Sequence, residues 1–351
     1  MKQTRKAARS VAAFETLPQG APMDDMPHAS PSLDRIQQAR DRLGTRIIRT
    51  PLLPLRTEPI ASHFTAARSA TIKLELFQHA GSFKARGNLL GIDGLDEAQR
   101  RAGVVAASGG NHALAVAWAA REKHIPATVV MPQTTDPARI DTCRALGAEV
   151  KLVSDIARVF DEMHRIADET GAAILHPFEG KHMTLGAATC GAEVLEDMPE
   201  IDLMIVAVGG GGLIGGIAAA LCQARPQCEV IGVEPEGADS LSRSFEAAEP
   251  VALETVDTIA DSLGAPTALP YSFAVARRHV SRVVRISDER IVHAMRLMRD
   301  GLHLIAEPAC AAALAAATGP LRDELADRNV CVLACGSNIG AARYRSLVGD
   351  A

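Results

Sequence analysis

Three short runs carry most of the groups in this chain that can do chemistry. In Gly81-Ser82-Phe83-Lys84-Ala85-Arg86-Gly87-Asn88, Lys84 follows a small turn residue and an aromatic ring, directly after the apolar strand-like segment 72–77. A lysine at a strand-to-helix junction can bury its amine and form a Schiff base; on an ordinary surface helix it would merely be solvated. In Ser108-Gly109-Gly110-Asn111-His112, a glycine-rich turn stands between the β-branched and small run 104–107 and the apolar helix pattern 113–120. Its backbone N–H groups can bind a carboxylate, and the Asn111 amide can reach an acceptor on a bound ring, although such residues are also ordinary turn composition. In Gly209-Gly210-Gly211-Gly212, residues without Cβ follow the apolar run 203–208 and open the helix pattern 213–223. Backbone donors converging at a helix N-terminus suit a phosphate; the same run would also serve as a tight turn chosen for packing. No acidic residue follows clearly at the distance a dinucleotide site needs, so this turn reads as a phosphate site. An amine, a carboxylate turn and a phosphate turn together describe a pocket for pyridoxal phosphate and an amino acid.

These groups need a scaffold, and the chain supplies one in alternating helix patterns and short apolar runs at 104–107, 127–131, 149–152, 203–208, 229–233 and 330–334. Such alternation predicts an α/β fold with parallel sheets covered by helices. Both glycine-rich turns fall at carboxyl ends of strands, where open α/β sheets bind ligands. A length of 351 residues with 47% hydrophobic content provides for two domains. The net charge of −5 and 3% aromatic content leave neither a basic footprint nor stacking platforms, which excludes nucleic acid as the expected partner. No apolar run reaches the roughly 18 residues needed to span a bilayer, so no membrane is expected. The cysteines, at 143, 190, 222, 228, 310, 331 and 335, are dispersed and form no C-x-x-C pair. Reduced thiols and a cytoplasmic location follow. Residues 1–30 begin with Lys2, Arg5, Lys6 and Arg9 and then turn Pro-rich without a secretory apolar stretch, which predicts a loose tail; a mitochondrial transit peptide is the competing reading.

The motifs also have an order. Glu75-Leu76-Phe77-Gln78-His79-Ala80 leads into the Lys84 run, followed by Ser108–His112, Gly209–Gly212, Thr258-Ile259-Ala260-Asp261, Glu307-Pro308-Ala309 and Cys335-Gly336-Ser337-Asn338. In these motifs, which span nearly the whole chain beyond the tail, the sequence resembles the serine/threonine dehydratase and serine racemase family of fold-type II pyridoxal phosphate enzymes. The resemblance implies two domains, each with a mostly parallel sheet covered by helices, and the cofactor in the cleft between them. It places a small substrate-binding domain at 103–179 and a large cofactor-binding domain at 31–102 and 180–345, with no C-terminal regulatory domain. It makes Lys84 the Schiff-base lysine and sets Phe83 against the cofactor ring. Asn111 would bond the ring's 3-oxygen, and Gly209, Gly210, Gly211 and Gly212 would hold the phosphate. Ser108, Gly109, Gly110, Asn111 and His112 would hold the substrate carboxylate. Glu307 would lie near the ring, although Glu before Pro is also a common helix start. Cys335 would stand beside the pyridine nitrogen, although most free cysteines are simply buried. Relatives are commonly dimers or tetramers, so a homodimer or homotetramer is expected.

A thiol is a weak neutral partner that does not keep a pyridine nitrogen protonated, so the ring is a poorer electron sink and β-elimination is favoured. The expected reaction has Lys84 remove the α-proton of a β-hydroxy amino acid such as L-threonine or L-serine, giving an aminoacrylate and then a 2-oxo acid and ammonia. Gly109 stands where racemases of the family carry a serine, which argues against racemisation. A racemase, or a dehydratase for a less common β-hydroxy amino acid, is the alternative. Gly186-Ala187-Ala188-Thr189 and Asn88 also depart from the family pattern. A divalent or monovalent cation is implied at Glu234, Ala238 and Ser240, but Asp239 falls one residue before the third ligand position, so the oxygen shell is only partly present. Arg139 occupies a commonly basic position and reads as structural. His176-Pro177-Phe178-Glu179 resembles the loop after the small domain.

Overall fold

The computed structural model describes residues 29–155 and 158–349. Nearly all of the expected tail, 1–30, lies outside the described residues. A six-stranded sheet runs in the order β1 (Leu52–Pro54), β2 (Ser69–Leu74), β10 (Asn329–Ala334), β7 (Leu203–Ala207), β8 (Glu229–Pro235) and β9 (Arg282–Ile286). Its neighbours are parallel except at the edge, where β1 pairs antiparallel with β2, Leu53 opposite Ile72. A second sheet, parallel throughout, runs β5 (Glu149–Val153), β4 (Ala127–Pro132), β3 (Val104–Ala107) and β6 (Ala173–Ile174). Strands β3, β7 and β10 are buried at every position. That is why they read as unbroken apolar runs: helices cover both faces of a parallel sheet.

The helices in chain order are α1 (Leu33–Leu43), α2 (Lys84–Asp93), α3 (Glu97–Ala102), α4 (Asn111–Glu122), α5 (Pro137–Ala145), α6 (Val159–Thr170) and α7 (Lys181–Asp197). They continue with α8 (Gly212–Ala224), α9 (Ser240–Ala247), α10 (Pro270–His279), α11 (Asp288–Leu302), α12 (Pro308–Thr318) and α13 (Ala341–Val348). Alanine-rich α12 is buried from Pro308 to Ala317 and packs on β7, β8 and β10. Small side chains let it approach the sheet closely, so Glu307, at its N-cap, is carried to the sheet's carboxyl edge. Among the described residues no helix is long and apolar enough to cross a membrane.

One element differs from its sequence pattern. The apolar segment 72–77 is strand only to Leu74 and then turns as a 3-10 helix over Glu75–Phe77. The cause is Glu75, which is fully buried and accepts from Thr50 Oγ1 at 2.5 Å and from Arg86 at 2.8 Å. A buried carboxylate must be paired, and Arg86 is reached by turning the chain inward rather than by extending the strand.

Candidate active site

Four segments converge at the carboxyl ends of parallel strands: the run before α2, the turns between β3 and α4 and between β7 and α8, and the stretch after β10. The first and last pair directly. Ser82 bridges Gly336, Phe83 N–H donates to Cys335 O at 3.2 Å, and Ser337 N–H donates to Gly81 O at 3.0 Å. The approach needs left-handed backbone at Ala80 and Gly81, with φ of 55° and 68°. A Cβ on Gly81 would lie 2.6 Å from Asn338 Oδ1, so glycine is required there twice over.

Lys84, the first residue of α2, holds its amine 4.8 Å from the Phe83 ring centroid and donates to Pro177 O. Burial by surrounding protein lowers its pKa to about 8, against the opposing pull of Cys335 and Glu307. Behind it, Asn88 Nδ2 donates to Lys84 O at 2.9 Å and lies 3.2 Å from His112 Nδ1, while His112 Nε2 meets Leu175 O at 2.8 Å. The imidazole is therefore spent on holding α4 against α2 and the end of β6; what His112 can offer a ligand is backbone.

Asn111 is fixed at both ends of its amide. Its Nδ2 donates to Glu307 Oε1 at 2.5 Å and its Oδ1 accepts from Asn338 Nδ2 at 2.6 Å. One amide proton is left for a ligand. Glu307, which is 1% exposed, is pushed up to about 7 by burial, with the Asn111 bond pulling the other way. Cys335 is buried immediately after β10, and a hydrogen bond with the free Cys310 thiol, then burial, raises its own thiol well above the usual range. At pH 7 it is a neutral thiol.

The glycine tetrad has two uses. A Cβ on Gly210 would fall 2.1 Å from the Phe178 ring and one on Gly212 would fall 2.2 Å from Phe178 O. Packing thus demands glycine at both, and the turn that results brings bare backbone to the N-terminus of α8. Phe178 belongs to the 176–179 loop, whose Glu179 also caps α10, accepting from Tyr271 N at 2.8 Å and from Ser272 N at 3.1 Å.

Residues 44–336 match the pyridoxal-phosphate dependent enzyme family. The chain belongs to that family. Phenylserine dehydratase of Ralstonia pickettii is 46% identical over 320 residues, which cover 91% of this chain and 97% of that protein. L-threonine ammonia-lyase of Thermotoga maritima is 35% identical over 312 residues, covering 88% and 76%. The structure of maize serine racemase has a TM-score of 0.83 at 32% identity, covering 89% of this chain and 95% of that one.

The residues fit the cofactor of these pyridoxal-phosphate enzymes. An amine with lowered pKa, a fixed amide, a neutral thiol and a turn whose Cβ positions are sterically closed are the donor set that an aldehyde, a ring oxygen, a ring nitrogen and a phosphate require. The implied cation set fares differently. Glu234 accepts from the N–H groups of Leu241 and Ser242 at 2.9 and 2.8 Å, acting as a cap on α9, and burial raises it to about 8. Asp239 is held by Arg243 and Arg285. Among the described residues no group of three or more His, Cys, Asp or Glu gathers as a metal would need. At the expected cation set of Glu234, Ala238 and Ser240, the Glu234 carboxylate already serves as a cap, whereas the Ser240 hydroxyl is buried with no hydrogen-bond partner among the described residues.

Two features had no clear sequence signal. Arg86, next to the reactive lysine in sequence, is 1% exposed and joins Lys73, Glu75 and Glu193 in a buried four-charge box. Arg139 donates to Gly109 O and Asp261 Oδ2 at 3.2 and 3.1 Å and to Asn338 O at 2.5 Å, and lies 3.9 Å from Glu307 Oε2. It ties α5 to the far side of the site. The basic position alone hinted at this.

Proposed function

We propose that this protein is a pyridoxal phosphate-dependent dehydratase that converts a β-hydroxy amino acid to a 2-oxo acid and ammonia. The observation that carries the reading is the Lys84 amine, held at about pKa 8 by burial, at the junction of Ser82–Gly336 and beside Cys335 and Glu307. The cofactor, bound through Lys84, supplies an electron sink for charge developing at Cα. In this reading the N–H groups of Gly109, Asn111 and His112 and the α4 dipole hold the substrate carboxylate, since Ser108 N–H donates to Val130 O and Gly110 N–H to Ser108 Oγ. Asn111 orients the ring and Gly209–Gly212 hold the phosphate at the N-terminus of α8. The freed Lys84 amine takes the α-proton, for which a pKa near the working pH is suited. The β-hydroxyl leaves as water, and hydrolysis of the resulting enamine releases the 2-oxo acid and ammonia. Cys335, neutral, leaves the ring nitrogen without a strong acid partner, which favours expelling a β-leaving group. Gly109 offers no side chain to reprotonate Cα, which disfavours racemisation.

Relatives named for phenylserine, threonine and hydroxyaspartate support a β-hydroxy amino acid as the substrate. The same reading takes 103–179 as a small domain, 31–102 with 180–345 as a large one, and the working form as a cytoplasmic homodimer or homotetramer. The test is 2-oxo acid release from L-serine, L-threonine and phenylserine, with the cofactor's visible absorbance followed in parallel. Release by the wild type and its loss in Lys84→Ala are expected. Bound cofactor with no oxo acid from any of the three, nor from 3-hydroxyaspartate, would refute the dehydratase.

A further inference from the structure

The carboxylate turn has glycine at two positions, and their surroundings are unlike. A Cβ on Gly110 would find Ser262 Oγ at 3.8 Å and an Arg139 nitrogen at 3.9 Å, which is ordinary contact. A Cβ on Gly109 would lie 2.5 Å from Thr135 Oγ1, a contact that the hydroxyl as placed does not allow and that only its turning away about χ1 would relieve, with Pro132 Cδ at 3.5 Å. Thr135 comes from the loop between β4 and α5, outside every motif singled out above. Its N–H is bound to Pro132 O at 3.0 Å, and the next residue, Asp136, caps α5 by accepting from Ala138 N at 2.9 Å. The hydroxyl is thereby held at the level of the Gly109 backbone.

The polar neighbours of the turn differ in what they have free. Arg139 spends its guanidinium on Gly109 O, Asp261 and Asn338 O. Ser262 Oγ points to Glu307 Oε2 at 3.5 Å, and Ser108 Oγ accepts from Gly110 N at 3.1 Å. No hydrogen bond engages the Thr135 hydroxyl among the described residues. A ligand seated on the turn would cover a half-buried hydroxyl and strip its water, which is unfavourable unless the ligand accepts from it. A carboxylate has about four lone-pair sites, more than the backbone donors of one turn fill, and a bond to it is charge-assisted.

We infer that Thr135 is a substrate-binding residue, donating to the α-carboxylate on the 108–112 turn from the volume that a side chain at position 109 would otherwise occupy. The inference rests on the substrate site proposed above. It makes the glycine at 109 and the hydroxyl at 135 one device: each is permitted by the other.

The experiment uses the holoenzyme and L-alanine, which carries the α-carboxylate but no β-leaving group. Its Kd is read from the change in cofactor absorbance, and KM and kcat are measured with the best β-hydroxy substrate. Thr135→Val keeps the branched outline and removes the donor; Kd and KM should rise about tenfold, at the low end for a bond to a charged group, with a smaller change in kcat. Thr135→Ser should stay within about threefold of wild type for the same reason. Gly109→Ser should weaken binding and lower the thermal midpoint, since it collides with Thr135, whereas G109S/T135A, which moves the hydroxyl to the other side of the contact, should recover most of the L-alanine affinity. Unchanged Kd in Thr135→Val, or G109S/T135A binding no better than T135A, would overturn the inference, as would a wild type that does not bind L-alanine. Oxo acid release is scored separately, so a protein that binds L-alanine through Thr135 but eliminates nothing would sink the dehydratase and spare this assignment.

Discussion

Replacing Arg86 by Met should destabilise the protein by more than any surface charge change, through the box it completes. Arg86 donates to Glu75 from Nε and a terminal nitrogen, both at 2.8 Å, and to Glu193 at 2.7 and 2.8 Å. Lys73 reaches Glu193 at 2.7 Å and Thr50 O at 2.7 Å. Two cations and two anions balance, at exposures of 0% for Lys73, 0% for Glu75, 1% for Arg86 and 6% for Glu193. Burial by itself would raise Glu75, but Arg86 holds it below the ordinary carboxylate value. Arg86→Met leaves two buried carboxylates facing one ammonium, and breaking a buried pair in this way costs about 3–5 kcal/mol. Adding Glu75→Gln removes the surplus charge, so the double variant should lose less than Arg86→Met alone, a non-additivity expected of residues in one network. Urea unfolding at neutral pH, followed by circular dichroism, measures both. Because α2 begins at Lys84, cofactor absorbance should fall with the single variant and partly return with the double. A loss under about 1 kcal/mol for Arg86→Met, or a double variant worse than the single, would refute the reasoning. The sign with pH follows from Glu75: its folded pKa is depressed, so the box contributes above the ordinary carboxylate range and its contribution is lost as the pH falls through the folded value.

Two further outcomes follow. Cofactor uptake by stripped protein requires the neutral Lys84 amine, so its rate should climb with pH through about 8; a midpoint near the ordinary 10.5 would mean the amine is not desolvated. Between those values the folded protein carries one proton fewer than the unfolded chain, so the stability penalty of this lysine is relieved as pH rises. Gly212→Ala puts a Cβ 2.2 Å from Phe178 O, a backbone atom, whereas Gly209→Ala meets Ser262 O at 3.2 Å. Equilibrium dialysis should show cofactor affinity reduced at least about tenfold in the first and less in the second; equal affinities would show that the tetrad tolerates side chains and does not shape the phosphate turn.

The sequence by itself determined what is local. The apolar runs at 104–107, 203–208 and 330–334 are β3, β7 and β10 to within a residue, because parallel strands buried on both faces leave a continuous hydrophobic signature. The turns holding Lys84, Asn111 and the glycine tetrad were legible for a similar reason: turn chemistry is written over a handful of adjacent residues. Strands β1 and β6, at three and two residues, carry too short a pattern to be read, and β2 gave way at Glu75 to a partner eleven positions on. Only the tertiary structure decided which charges are buried and with whom. Arg86 meets Glu193 across 107 positions, Asn111 meets Glu307 across 196, and Arg139 meets Asn338 across 199. It likewise set Thr135 against Gly109 and turned Glu234 into a helix cap. An ionisable or hydroxyl side chain looks the same in sequence whether solvated or enclosed; its pKa, its partners and its role depend on the dielectric and the donors around it, and those are assembled from distant parts of the chain when the sheets and helices pack.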